Sequence, residues 1–189
     1  MAQMKFMCDA ERCIECNGCV TACKNANDVE WGIQRRRVVT LNDGEADEMS
    51  ISVACMHCDD APCMAVCPTD CFYKTDDGIV LHDKERCIGC GYCLYACPFG
   101  APQFPKKAVF GSKGKMDKCT FCAGGPETEA GSAKERELYG ANRLAEGKLP
   151  MCAELCSTKA LLAGDAQMVS DIYRERVAQR GMKRGVWNK

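Results

Sequence analysis

Cys87-Ile88-Gly89-Cys90-Gly91-Tyr92-Cys93-Leu94-Tyr95-Ala96-Cys97-Pro98 is the stretch that decides how this chain of 189 residues is read. Three cysteines stand at steps of three, a fourth follows four residues later, and proline closes the run. That spacing binds a [4Fe–4S] cube. Two residues between cysteines let one tight loop aim three thiolates at three iron corners. Gly89 and Gly91 allow the backbone to curl close and point N–H groups at the sulfides. The fourth thiolate, Cys97, stands beyond the loop and serves a different cluster, so a second motif has to exist.

Three further motifs are present. Cys13-Ile-Glu-Cys16-Asn-Gly-Cys19 with Cys23 repeats the first run at a constant offset of 74 residues, and six of the eight positions from Asp9 match those from Asp83. This is an internal duplication of one unit. Cys55-Met-His-Cys58 continues to Cys63 and Cys67-Pro68, with its third ligand delayed by two residues through Asp59–Pro62. The last motif is split: Cys119-Thr-Phe-Cys122, then 29 residues, then Cys152 and Cys156.

Sixteen of the 18 cysteines therefore fall into four groups. Such density reads as a disulfide scaffold or as metal ligation. A disulfide scaffold expects scattered cysteines behind a secretory signal. Met1–Met7 carries no basic region followed by a long apolar one. Zinc also takes paired C-x-x-C, but seldom runs of four cysteines ending in Cys-Pro. The formal charge of −1 understates the folded protein. Each oxidised cube with its thiolates carries about −2, so four bring the total to roughly −9. Basic side chains and backbone dipoles have to balance that field. There is no basic, aromatic-interleaved stripe for nucleic acid, and no stretch of about twenty apolar residues for a membrane span.

Spacing also predicts which cysteines share a cube. The second and third motifs both end in Cys-Pro and lie close together, so each lends its last cysteine to the other. Cys55, Cys58, Cys63 and Cys97 then hold one cube, and Cys67, Cys87, Cys90 and Cys93 another. By elimination the outer motifs cross. Cys13, Cys16, Cys19 and Cys156 hold a third cube, and Cys23, Cys119, Cys122 and Cys152 a fourth. The crossing staples the two ends of the chain, which suits a small core stabilised by metal. Cys8 and Cys71 are left over and read as small buried hydrophobes. His57 and His82 have no ligand role left to fill. Glu15 occupies the place of Gly89 in the repeat and, if ionised, lowers the potential of its cube.

The fold expected is α+β: a duplicated, loop-rich bacterial ferredoxin-like fold, with short hairpins and helices around four [4Fe–4S] clusters. Residues 1–165 form the four-cluster unit, with an inner module at 55–98, an outer module from 1–30 and 115–160, and a hairpin insert at 28–54. Residues 4–8 read as a strand. The β-branched runs either side of Asn42-Asp43-Gly44 predict one hairpin, and Phe72–His82, about Asp76-Asp77-Gly78, predicts another. Residues 106–118 form a basic approach to the split motif. Its insert begins with the loop Gly-Gly-Pro-Glu-Thr, and a helix follows from Ser132 to Glu146, with Ser132 and Glu135 at capping-box spacing. Residues 166–189 form a tail with Met168, Val169, Ile172 and Tyr173 at helical spacing and six Lys/Arg in the last sixteen positions. That tail is either a solvated basic helix or a docking arm. Arg35, Arg36 and Arg37 are either a solvated strand edge or a counter-charge to a cluster or partner.

Taken together, the four motifs resemble the iron–sulfur subunits that accompany molybdenum- or tungsten-pterin oxidoreductases of the dimethyl-sulfoxide-reductase type. Trp31–Leu41, Cys55–Cys63, Cys87–Pro105 and Glu146–Leu161 are similar to formate dehydrogenase beta subunits. The resemblance covers essentially the whole chain. It implies an electron-transfer subunit without catalytic residues of its own, since no general base or nucleophile is arranged here. Electrons are expected to pass through four cubes between a Mo/W-bis-pterin catalytic alpha subunit that oxidises formate and an acceptor. That acceptor is a membrane cytochrome b gamma subunit or a soluble carrier. Family members with a membrane anchor carry a C-terminal transmembrane helix; none is expected here up to Lys189, and the membrane link is expected to fall to a separate cytochrome subunit. Two alternatives stay open: a relay for a polysulfide, thiosulfate, dimethyl sulfoxide, nitrate or aldehyde enzyme or a hydrogenase, and a free polyferredoxin or zinc-binding module. The expected compartment is the periplasm, by co-export with a signal-bearing partner, or the cytoplasm.

Overall fold

The computed structural model describes residues 3–105, 114–126 and 132–183. Short elements alternate with long irregular loops, and every sheet has two antiparallel strands. The first sheet joins the chain's two ends. Strand β1 (Met4–Cys8) pairs with β6 (Leu161–Asp165), with Met4 opposite Asp165 and Cys8 opposite Leu161. This pairing brings the first cysteine motif beside the last.

The second sheet is the predicted hairpin, β2 (Arg36–Leu41) with β3 (Met49–Ala54). Val38, Val39, Ile51 and Val53 supply the β-branched side chains that fit a pleated surface. Asn42 (φ 54°) and Gly44 (φ 81°) turn the chain between them. The third sheet is the small hairpin β4 (Phe72–Lys74) with β5 (Val80–His82), closed by Gly78 at φ 81°. Met4 N–H donates to Asp77 O at 2.8 Å, tying this turn to β1.

The helices are short. Helix α1 (Gly18–Ala26) carries Cys19 and Cys23, α2 (Pro62–Ala65) carries Cys63, α3 (Tyr92–Ala96) carries Cys93 and α5 (Met151–Glu154) carries Cys152. Helix α4 (Ala133–Tyr139) is half the length expected from the sequence. Ser132 caps it, accepting from Glu135 N–H at 3.1 Å. Gly140 (φ 91°) ends it, because its Cα lies against the Asn27 side chain, where an added Cβ would meet Oδ1 at 2.2 Å. Glu135 is 1 % exposed, and its carboxylate accepts from Gly125 N–H at 2.9 Å. Residues 106–113 of the basic approach and 127–131 of the insert loop lie outside the described residues.

Helix α6 (Ala166–Lys183) packs back on β1 and β6. Val169 is buried, whereas Met168 and Ile172 remain partly exposed. Arg176 and Arg180 reach the carboxylate of Asp9, which is fully buried, and Arg180 lies 3.3 Å from Glu11. At Arg176 and Arg180 the basic helix is thus fastened to its own chain rather than simply solvated. Residues 184–189 lie outside the described residues. No helix among the described residues is long and apolar enough to cross a membrane.

Cysteine makes up much of the interior. One apolar cluster joins Cys19, Cys23 and Cys152 to Ile79, Leu81 and Phe121, with Cys156 packed against it. A second joins Cys63, Cys71, Cys87 and Cys93 to Phe72, Val80 and Met116. A third places Cys55 and Cys119 between them, beside Ala54 and Ala101. Side chains that would be a poor hydrocarbon core are gathered where hydrocarbon would ordinarily be.

Candidate metal centres

All four C-x-x-C loops share one backbone feature. The residue just before the second cysteine is left-handed in each: Glu15 (φ 57°), His57 (φ 46°), Gly89 (φ 71°) and Phe121 (φ 59°). Such a residue turns the chain sharply enough for the loop to curl and present its N–H groups inward. Phe121 N–H donates to the Cys119 sulfur at 3.4 Å, and Gly89 N–H does the same for Cys87. Sequence reasoning recognised glycine in this role at position 89 only. His57 and Phe121 are weak turn signals and are held there by packing: Phe121 packs at a tilt on Phe6, 4.3 Å between ring centroids, and meets His57 edge-on at 5.7 Å.

The last cysteines share a second feature. Asp70 (φ 48°), Gly100 (φ 60°) and Lys159 (φ 53°) each stand three residues after one. The chain then doubles back so that Cys71 N–H reaches Cys67 at 3.4 Å, Ala101 N–H reaches Cys97 at 3.5 Å and Leu161 N–H reaches Cys156 at 3.4 Å. These donors stabilise the thiolate form. Cys23 departs from the pattern. It lies inside α1 and has the Asn27 amide 3.9 Å from its sulfur instead.

The thiols gather in three neighbourhoods, around Cys23, Cys63 and Cys93, with the first motif beside Cys156. Burial, then the charges of Cys119, Cys152 and Cys122, push Cys23 far above the ordinary thiol range. Burial raises Cys63 to about 11 against the pull of Lys118, and Cys55, Cys97 and Cys58 add to it. Cys55, Cys58, Cys63 and Cys97 also line one cavity together with Lys118. Burial and then Cys87, Cys63, Cys90 and Cys67 raise Cys93 to about 12. The first motif approaches Cys156 through Arg12, whose Nε donates to Thr158 O at 3.0 Å, and Cys19 and Cys156 share one apolar cluster.

These neighbourhoods lie within electrostatic reach of one another. Cys19 adds to the charge felt by Cys152, Cys55 to that felt by Cys119, and Cys63 to that felt by Cys93.

Side chains crowded this way repel one another as thiolates and require a cationic group at their centre. All 18 cysteines are free thiols, including the exposed Cys16. Among the described residues no three His, Cys, Asp or Glu side chains converge on a point that a single ion could occupy. A donor set that is all sulfur, too widely spread for one ion and provided with N–H donors fits an iron–sulfur cube better than zinc.

Buried cations face the thiols. Lys118 is fully buried, with Nζ donating to Val80 O and to Cys119 O at 3.1 Å. Arg36 is 2 % exposed, and Arg35 (5 %) pairs with Asp117, 2.9 Å between Nη2 and Oδ1. Arg37 donates to Gly100 O at 2.9 Å. The solvated-edge reading of the three arginines is overturned for Arg35 and Arg36, because the hairpin lays them over the cysteines. His57 accepts from Val80 N–H at 3.1 Å, and burial, then Lys118, keeps it neutral well below the usual histidine range; the same two causes depress His82. The two spare thiols are not inert filler. Cys71 lies 3.4 Å from the Cys67 sulfur and interacts with Cys87, while Cys8 accepts from Ser52 N–H at 3.2 Å near Cys13 and Cys19.

Such a framework defines a ferredoxin-type iron–sulfur protein whose work is electron transfer. Residues 46–133 match the 4Fe-4S dicluster domain family. The formate dehydrogenase iron–sulfur subunit of Wolinella succinogenes is 68 % identical over 95 % of this chain and 90 % of the relative. The thiosulfate reductase electron transfer subunit of Salmonella typhi is 35 % identical over 95 % and 88 %. The B subunit of the anaerobic dimethyl sulfoxide reductase of Escherichia coli is 35 % identical over 84 % and 72 %. The chain belongs to this family of oxidoreductase iron–sulfur subunits and carries [4Fe–4S] clusters.

Proposed function

We propose that this chain is the electron-transferring beta subunit of a formate dehydrogenase and holds four [4Fe–4S] clusters on a duplicated ferredoxin-like unit. The observation that carries the formate assignment is the 68 % identity to a formate dehydrogenase subunit, against 35 % to the thiosulfate and dimethyl sulfoxide reductase subunits. The ligand sets are Cys13, Cys16, Cys19 and Cys156 (cluster a); Cys23, Cys119, Cys122 and Cys152 (cluster b); Cys55, Cys58, Cys63 and Cys97 (cluster c); and Cys67, Cys87, Cys90 and Cys93 (cluster d). The neighbourhoods of Cys23, Cys63 and Cys93 support the last three sets, and the Arg12 contact supports the first.

Each bound cluster supplies reversible one-electron chemistry. In this reading the four sites follow one another in the order a, b, c, d, each set within electrostatic reach of the next: Cys19 of Cys152, Cys55 of Cys119, and Cys63 of Cys93. Buried arginine and lysine offset the negative charge, and the apolar walls around Phe121, Ile79 and Val80 exclude water. Substrate chemistry belongs to a Mo/W-bis-pterin alpha subunit at one end of the series. A cytochrome b gamma subunit or soluble carrier accepts electrons at the other. The chain's compartment is the periplasm, by co-export with a signal-bearing partner, or the cytoplasm.

Mass spectrometry of the complex purified through this chain tests the reading, together with formate-dependent bleaching of the brown iron–sulfur absorbance. A pterin subunit whose complex oxidises formate is expected. A co-purifying thiosulfate or dimethyl sulfoxide reductase, inert to formate, replaces the formate assignment with one of the 35 % relatives' chemistries. Fractionation of cells assigns the compartment.

A further inference from the structure

Arg36 opens β2 in the interior, 2 % exposed. Its guanidinium carbon sits 4.3 Å above the ring centroid of Phe6. One end is anchored: Nη1 donates to Ser52 Oγ at 3.0 Å. Nε and Nη2 are buried without a hydrogen-bond partner. A guanidinium stripped of water with two N–H directions unpaired is among the costliest arrangements a core can hold. Something has to accept from it.

The charges that face it most strongly are sulfurs: Cys152, Cys119, Cys23 and Cys19. Burial by itself lowers the affinity of Arg36 for its proton, and these four groups more than restore it. They come from two different ligand sets. Cys19 belongs to cluster a, and Cys23, Cys119 and Cys152 to cluster b. The guanidinium lies near enough to the Cys152 sulfur to favour its thiolate, and Ser52 Oγ, which accepts from Nη1, lies 3.2 Å from the Cys19 sulfur, so the side chain reaches both sets. Arginine suits this place because its planar fork can serve two acceptors at once, whereas lysine is a point charge.

We propose that Arg36 is a donor and counter-charge shared by the two outer clusters, its free Nε–H and Nη2–H groups pairing with cluster sulfur and holding both reduction potentials up together. A fixed positive charge and N–H···S bonds favour the reduced, more negative state. Arg36 acts here as a tuning residue; it binds no iron. The inference rests on the cysteine sets proposed above.

The test is an anaerobic potentiometric titration followed by EPR on the complete complex, with Arg36→Met and Arg36→Lys beside the unaltered protein. Iron content is measured first: about sixteen irons per chain, four per cube, confirm the basis, and fewer in the unaltered protein overturn the four-cluster reading whatever Arg36 does. In Arg36→Met the midpoints of clusters a and b are expected to fall and those of c and d to stay. Arg36→Lys should shift the same two midpoints, and by less. Unmoved outer midpoints, a shift of only one of them, or an equal shift of all four overturns the proposal. If Arg36→Met fails to assemble its iron, Arg36→Lys is judged by the same criteria.

Discussion

The sulfur of Cys71 lies 3.4 Å from the sulfur of Cys67, within the group formed by Cys67, Cys87, Cys90 and Cys93. Cys71 belongs to none of the four motifs. Its hydrogen bond to Cys87 raises its own pKa above any accessible range and lowers that of Cys87 to about 5. With Cys67 and Cys87 held as thiolates by a cluster, Cys71 is the one thiol of the three that still carries a proton to donate. Replacing it with alanine removes one S–H donor from a cluster ligand. The midpoint of cluster d should fall in Cys71→Ala and stay close to the unaltered value in Cys71→Ser, which still donates. EPR-monitored titration separates the two, and identical midpoints in all three proteins would exclude a donor role.

Cys23 and Cys19 stand one helical turn apart on α1 but face different neighbours. In Cys23→Ser the cluster lost should be that of Cys119, Cys122 and Cys152, with the first-motif signal retained. Cluster-resolved EPR decides this, and loss of the first-motif signal in its place rejects the crossed pairing.

Glu15 holds φ 57° at the place where the repeat has Gly89 at 71°. A side chain in that region costs about 1 kcal/mol or more relative to glycine. Glu15→Gly should gain stability of that order, measured as a higher urea midpoint of the anaerobic holoprotein. It also removes a carboxylate held by Ser50 Oγ at 3.3 Å beside the first motif. The midpoint of cluster a should then rise. Four unchanged midpoints would show that Glu15 tunes no cluster.

Arg35 and Asp117 form a buried pair, with Nε donating to Oδ2 at 3.0 Å and Nη1 donating to Tyr139 O at 2.9 Å. Asp117 also lies 3.6 Å from Lys84. Asp117→Ala leaves the guanidinium uncompensated and should cost about 3–5 kcal/mol. A fall of that size in unfolding free energy, at unchanged iron content, is the expected result. A loss under about 1 kcal/mol would mean that water or the sulfurs take over the partner's role.

Much of the protein is legible from local sequence because cluster ligation is itself local. Cys-x-x-Cys spacing follows from how far apart iron corners lie, and the hairpins follow from β-branched runs about Asn42–Gly44 and Asp76–Gly78. The strand at Met4–Cys8 and the terminal helix were readable for the same reason. Helix α4 was overestimated because its stop signal, Gly140, works by the approach of Asn27, 113 positions earlier in the chain. Phe121 was missed as a turn residue because a bulky side chain disfavours positive φ, and His57 because a single histidine is a weak signal for it; Phe6 and β5 hold them there.

By itself the sequence determined the chemistry to expect: cysteines in four motifs, an internal repeat, and an excess of negative charge that had to be met. Only the tertiary structure decided what meets it. Nothing around Arg35-Arg36-Arg37 marks the first two as buried or the third as the one that holds Gly100. Burial came from the pairing of β2 with β3 and the packing of that hairpin over cysteines drawn from α1, α5 and the loop at Cys119. The electrostatic energy of a cation depends on every charge within a few ångströms in a low dielectric, and those neighbours are set by the fold.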